Sequence, residues 1–396
     1  MAFQVANPTL GKAPLPEESQ GPTPKHKFEG HQNNVSSFVF LHDNVHIVSS
    51  SLDGTIRKWN CETGLLIGEP WEAGRGICAL ALSPNGKIFA CGREDGKIQL
   101  WNTDGKMIRE ILTGHSDKVW SLAWSHSGGY IASGFRDGTI LFRKTKKREI
   151  NVRPIETGQG IVCGLAYSPS GDRIASGGLT KTICIWDSKT GRLLVGPIED
   201  LRSNVDSIVW SSDSSKLYSA SDEVARVFDS VSGTLLHRFE HHGHLRSLAL
   251  SPTDNVILAC VGGYGVAKLW DTRSLQPLGQ PFHQEDGKVL ETVSFSPNGR
   301  YLAYGGYDYN ITLWDVKDIA PEYSAPPALT KLQGAGQQGT DIESPSSSYL
   351  DVSTLIYQFP SCSWVHHRPM LQILLHSMGS MTSPGRAMIH TKTFSR

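Results

Sequence analysis

Lys118–Arg143 reads KVWSLAWSHSGGYIASGFRDGTILFR. KVWSLAWS alternates its faces, which is the period of a β-strand. Ser-His-Ser-Gly-Gly makes a turn. YIASG is a short buried strand, Phe-Arg-Asp-Gly is a second turn, and TILFR is a third strand. Glycine and Asp-Gly supply the positive backbone angles that tight hairpins need.

The same order recurs seven times. Aligned on the second turn, the third strand ends at Trp59, Trp101, Arg143, Trp186, Phe228, Trp270 and Trp314, in steps of 42, 42, 43, 42, 42 and 44 residues. A fourth strand is expected in each unit, as in LLIGEP, MIREIL, LLVGPI and LLHRF. A strand-type repeat with a period in the forties predicts a β-propeller. The expected fold is all-β, with seven blades spanning residues 25–318. Radial repetition also explains how a chain of 396 residues stays ordered, since each unit packs only on its neighbours.

The two ends of the array predict how the ring closes. KHKFEGH at Lys25–His31 looks like the fourth strand of a blade, and the unit ending at Trp314 has three strands of its own. Lys25–Glu29 is therefore expected to complete the seventh blade, so that few strand edges stay open.

Residues 1–24 carry five prolines and little periodicity and read as a disordered leader. Residues 319–396 read as a Pro/Gly/Ser/Gln linker followed by a largely disordered tail. From Val352 to Arg396 there is no Asp or Glu, and four of the six methionines lie there. A segment that folds on a partner and an end that is not the natural protein terminus are the alternative readings.

Formal net charge is zero at a pI of about 7.2, which argues against binding nucleic acid by bulk electrostatics. Seven scattered cysteines and no secretory signal fit a reducing compartment. A cytoplasmic location is expected, with the nucleus as an alternative. No run approaches the roughly 20 apolar residues that span a bilayer.

The units resemble the WD-repeat family. Its signature places Gly-His before the first strand, Ser in the second, Asp in the following turn and Trp-Asp at the end of the third. The resemblance implies a hydrogen-bond chain from Trp to Ser to His to Asp. Blade one carries the whole set: His31, Ser49, Asp53 and Trp59. Blade three keeps His115, Ser133 and Asp137 but has Arg143 in the Trp slot. Blade two has Ala73 in the His position, and blade four has Thr180 for the turn Asp. Blade five has Phe228 for Trp and keeps Asp222. Blade six keeps His241 with Tyr264 at the turn. Blade seven keeps Asp308, with Asp286 expected in the His slot.

The family resemblance implies a rigid platform for proteins and peptides without catalysis of its own. Recurrence once per blade suits scaffolding better than a triad converging in one cleft. No cofactor is expected. The entry of each first strand and the residue before each turn Asp are expected on the top face around the channel. There Glu94, Lys118, Trp120, Arg136, Asp206, His244, Arg246, Glu291 and Tyr307 stand out as partner-binding candidates. Trp, Tyr and Arg dominate binding hot spots, and the mixed charge suits a peptide better than a phosphate backbone. Trp120 and Arg136 are the expected anchors, against the plainer reading that Trp120 packs between blades.

Other signals are weaker. Trp270-Asp271-Thr272-Arg273 fits the Trp-Asp-x-Arg pattern of substrate receptors in cullin–RING ubiquitin ligases. Arg143–Arg148 is a basic run on a hairpin loop, readable as an import signal, a phosphate patch or a solvated loop. His237, His241, His242 and His244 cluster without an evident second ligand set. There is no Walker-type phosphate loop, and the leader lacks the heptads that would pair a G-protein β-subunit with γ. A propeller hydrolase or oxidoreductase with a channel site is the alternative of a different class. The propeller is expected to be monomeric by itself, within a larger complex.

Overall fold

The computed structural model describes residues 22–111, 117–145, 154–199, 201–252 and 254–323. They form seven antiparallel four-stranded sheets. The first strands of the blades are Val35–Phe40, Ile77–Leu82, Val119–Trp124, Val162–Tyr167, Val205–Trp210, Leu245–Leu250 and Leu290–Phe295. Each packs on the first strand of the next blade, and the seventh packs on the first, so the ring is closed.

His26–Phe28 is the outer strand of blade seven. It pairs antiparallel with Ile311–Leu313, and the Lys25 N–H donates to the Leu313 carbonyl at 2.7 Å. Phe28 is sealed against Trp59 of blade one, with ring centroids 5.5 Å apart. Glu62, in the turn after blade one's third strand, clamps the same seam. It accepts hydrogen bonds from Lys25 at 3.1 Å, Arg300 at 3.1 Å and the Tyr301 hydroxyl at 2.7 Å. The seam is thus a short ladder, an aromatic contact and a shared carboxylate.

Burial explains why the strands form where they do. Ile77–Leu82 and Leu290–Phe295 are buried at every position, because a first strand has blade on both faces. Outer strands such as Leu193–Ile198 are mostly exposed. Polar atoms in the inner layers are tied across blades. Ser36 donates to the Ile77 carbonyl at 2.6 Å and Ser121 to the Val162 carbonyl at 3.0 Å. The Trp124 and Trp210 indoles donate to Ala81 and Ala166 carbonyls of the preceding blades. Gly54, at φ +88°, lets the first blade's turn approach the entry of the second, where a Cβ would lie 2.0 Å from the Gly74 carbonyl oxygen.

One expected strand is irregular. LLIGEP does not extend as the fourth strand of blade one. Leu66 makes a lone bridge with Trp59, and the ladder resumes only at Trp71–Glu72. Gly68 at φ +69° and Pro70, which has no N–H to donate, interrupt pairing between them. No helix among the described residues is long and apolar enough to cross a membrane. The leader before Pro22, the tail after Tyr323 including MLQILLH, His115, and Lys146–Arg148 of the basic run lie outside the described residues.

Candidate functional site

Two sets of polar side chains were candidates, one within the blades and one at the channel mouth. In blade one the internal chain is complete. Trp59 donates its indole N–H to Ser49 Oγ at 2.8 Å. Ser49 Oγ lies 2.8 Å from His31 Nε2, and His31 Nδ1 lies 2.9 Å from Asp53 Oδ2. The ionised Asp53 can only accept, so the neutral imidazole carries its proton on Nδ1, and Nε2 accepts from the Ser49 hydroxyl, which itself accepts from Trp59. Burial holds the His31 pKa below its ordinary value, against the pull of Asp53. Burial opposes ionisation of Asp53, but bonds from His31, the Gln32 N–H and Thr55 outweigh it and hold that carboxyl low.

The other blades vary the chain with different residues, and in blades six and seven the Trp270 and Trp314 indole N–H groups have no hydrogen-bond partner. In blade four Trp186 donates to Ser176 Oγ at 2.8 Å, and Ser176 donates to Gln159 Oε1 at 2.6 Å. Gln159, fully buried, does the work of the missing His; sequence reasoning passed over it. In blade seven Gln284, not Asp286, bonds Asp308. The turn Glu285–Gly287 inserts two residues before the first strand, so counting back from that strand lands on Asp286, which sits in the turn at φ +73°. In blade five Arg226 replaces the whole chain with a two-pronged pair to Asp222, at 3.1 and 2.8 Å. In blade two Trp101 donates to Gln99 at 3.1 Å, and Gln99 donates to Glu110 on the outer strand. In blade six Lys268 lies over the Trp270 ring at 4.0 Å, and burial drops the His241 pKa to about 4. Arg143 of blade three is buried, which lowers its pKa. All these side chains sit inside the blades.

The channel mouth is different. In five blades the residue before the turn position donates its N–H to the carbonyl of the first-strand entry residue, as Glu94 does to Gly76 and Tyr307 to Val289. The two sets of candidate positions therefore stand side by side on one face. On blades two and three, Lys118 bonds Glu94 at 3.2 Å and places its ammonium 4.4 Å from the centre of the Trp120 ring. Trp120 is half-buried, and its indole N–H has no hydrogen-bond partner. Arg136 is exposed on the same blade.

Across the mouth, blades five to seven bring together four of the predicted residues. His244 Nε2 lies 2.8 Å and Arg246 Nη1 3.2 Å from Asp206 Oδ2. Glu291 is sealed beside them. Burial raises its pKa to about 7, opposed by Arg246 and assisted by Asp206, with Tyr307 bonding it and Lys118 acting from blade three. The four clustered histidines do not converge: His237 packs edge-on to Phe239, His241 faces the Gly243 carbonyl, and His244 holds Asp206. Among the described residues no three His, Cys, Asp or Glu side chains gather as metal ligands.

The family model described as "WD domain, G-beta repeat" matches seven times, at 22–60, 70–102, 105–142, 152–187, 196–229, 233–271 and 278–315. The chain belongs to the WD-repeat family. WD-repeat relatives include the ribosome biogenesis protein WDR12 homolog of Nematostella vectensis, 34% identical over 31% of this chain and 30% of its own length. Cell division cycle 20.1, cofactor of APC complex, from Arabidopsis thaliana is 24% identical over 68% of this chain and 51% of its own length. Autophagy-related protein 16 of Arabidopsis thaliana is 26% identical over 78% and 54% respectively. The chain thus spans between about a third and about half of these relatives. WD-repeat propellers of this kind fit a protein-interaction scaffold.

Proposed function

We propose that this WD-repeat chain is a non-catalytic scaffold that holds protein or peptide segments on its top face, with Trp120 and Arg136 as anchors. One observation carries the reading. Most polar side chains inside the blades are tied into bonds within or between sheets, whereas at the channel mouth Trp120 keeps a half-buried ring under the Lys118 ammonium, on the same blade as the exposed Arg136. A large amphipathic ring on a pre-ordered ring of sheets loses little entropy on binding. The names of the relatives, a ribosome biogenesis protein and a cofactor of the APC complex, favour work within assemblies. Trp120→Ala and Arg136→Ala proteins that fold normally should lose partners in affinity capture from the native cell. Retention of every partner by both variants would sink this reading.

A second reading within the same class is a substrate receptor of a cullin–RING ligase. It is favoured by the Arg273 side chain, 70% exposed after the Trp270-Asp271 pair. Its backbone N–H is held by Asp271 Oδ1 at 2.6 Å, so the arginine projects from a fixed turn. Arg273→Ala should abolish capture of the ligase adaptor and leave top-face partners bound. The channel-enzyme reading predicts stoichiometric metal or cofactor in the purified protein, which elemental and absorbance analysis measures directly.

A further inference from the structure

On the face opposite the channel mouth, the turns around Ser127 of blade three and Ser170 of blade four bound a cavity of about 350 Å³. Phe142 and Tyr167 wall it edge to face, with ring centroids 6.4 Å apart at 76°. Tyr130 lines it too, and its hydroxyl acts on that of Tyr167, yet neither is hydrogen-bonded among the described residues. Tyr167 is 2% exposed, and a buried donor without a partner is the exception in folded proteins. Unlike the sealed Trp270 and Trp314 indoles, the Tyr167 hydroxyl keeps surface inside the cavity.

Basic groups stand at the rim. His126, on the blade-three turn, and Lys189, after blade four's third strand, both line the cavity and are exposed. No acidic residue among the described residues lines it. The two nearest carboxylates in sequence are engaged at their own turns. Asp187, on which Lys189 also acts, accepts from the Lys189 and Thr190 N–H groups at 3.1 and 2.7 Å. Asp172 accepts from the Ser168 and Ser170 hydroxyls at 3.1 and 2.5 Å. The basic run starting at Arg143 reaches the same rim. Lys144 pairs in register with Tyr130, and Thr145 donates its hydroxyl to the Gly128 carbonyl at 3.0 Å and its N–H to the Gly129 carbonyl at 2.9 Å.

We propose that this cavity binds an aromatic ring carrying an anionic group, presented by a partner protein as a phosphotyrosine side chain. This rests on the reading of the chain as a scaffold for protein segments, but not on its top-face anchors. The size is at the small end of ligand pockets, which suits one side chain. The Phe142 and Tyr167 rings offer an aromatic wall to an entering ring. Phosphate brings about two negative charges and three acceptor oxygens. Those match two unbonded phenol hydroxyls and two basic side chains at the rim, and charge-assisted bonds are the stronger kind. Burial and the Tyr130 hydroxyl both raise the Tyr167 pKa, so Tyr167 keeps its proton to donate.

The test is calorimetric titration of the full chain with N-acetyl-phosphotyrosine amide, N-acetyl-tyrosine amide, phenyl phosphate and inorganic phosphate. The phosphotyrosine probe should bind saturably, about tenfold or more tighter than the tyrosine probe and inorganic phosphate. Tyr167→Phe keeps the ring and deletes only an unbonded hydroxyl, so the fold stands. It should weaken the phosphotyrosine probe about tenfold, and Lys189→Gln should weaken it about threefold. Trp120→Ala should leave this affinity unchanged. Equal binding of the tyrosine probe, equal binding of inorganic phosphate, an unchanged affinity in both cavity variants, or no saturable heat would each overturn the proposal. Phenyl phosphate binding more tightly than the phosphotyrosine probe would assign the cavity to a free small molecule and overturn the partner reading. Partners lost by Trp120→Ala in a protein that binds no phosphotyrosine would leave the scaffold standing and strike out the cavity alone.

Discussion

Trp59 and Ser49 meet at 2.8 Å, and the hydroxyl between them is the hinge of blade one. It accepts from the indole and donates to His31, so a single oxygen satisfies two buried rings. Ser49→Ala strands both. It should destabilise the protein by about 2–6 kcal/mol, at about 1–3 kcal/mol for each buried polar group left unmet. Blades in a ring interact mainly with their neighbours. Hydrogen exchange should therefore speed up in Val35–Asn60 first, and a uniform change around the ring would contradict a blade-local network.

The closing strand contributes through Phe28 and through edge pairing. Phe28→Ala removes a ring sealed against Trp59 and should cost about 3–5 kcal/mol. Deleting residues 1–30 exposes the edge of Ile311–Asp315 and should cause aggregation. Light scattering and thermal melting check both. A truncated protein that stays monomeric with an unchanged melting temperature would contradict the role of this strand.

Arg226 and Asp222 rigidify blade five, where Phe228 stands in the Trp slot. Their side chains are 3% and 12% exposed and meet through two bonds. Arg226→Met leaves the carboxylate without its cation and should cost about 3–5 kcal/mol. Adding Asp222→Asn should restore most of that loss, because an unpaired charge is no longer held inside. Chemical denaturation of the two variants decides it: a double variant as unstable as the single one would mean that the pair acts through packing alone.

These blades show what was readable in advance. Alternating strands and glycine turns at a near-constant step fixed seven sheets, and the three-strand last unit located the closing segment, because burial pattern and turn chemistry are local properties. Substitutes inside the blades were harder to see. Gln159 and Gln284 replace His from shifted positions, three and six residues before the first strand where His31 stands four before it, and only the two added residues of the 44-residue step left a trace of this, for Gln284. Arg226 was passed over because Arg at an outward-looking strand position ordinarily means a solvated side chain. At the mouth, alignment named Asp206, His244, Arg246 and Glu291 one blade at a time. That these four converge on one cluster depends on which way each side chain leans across blades, and a one-dimensional repeat holds no record of that.

Glu291 ties that cluster to pH. Its pKa is about 7 in the fold against an ordinary 4.5, so the folded protein holds its proton more tightly than the unfolded chain does. Below pH 4.5 the carboxyl is neutral in both states and costs nothing. As pH rises from there to about 7 the unfolded chain ionises first, and stability falls. Above about 7 the full penalty stands, about 3 kcal/mol at 1.4 kcal/mol per unit. Glu291→Gln removes the charge and keeps the shape. Its melting temperature should match the parent protein near pH 4.5 and exceed it by a growing margin up to about pH 8. A margin that is constant with pH would show that Glu291 is ionised in the fold throughout, held by Arg246 in the manner of an ordinary ion pair.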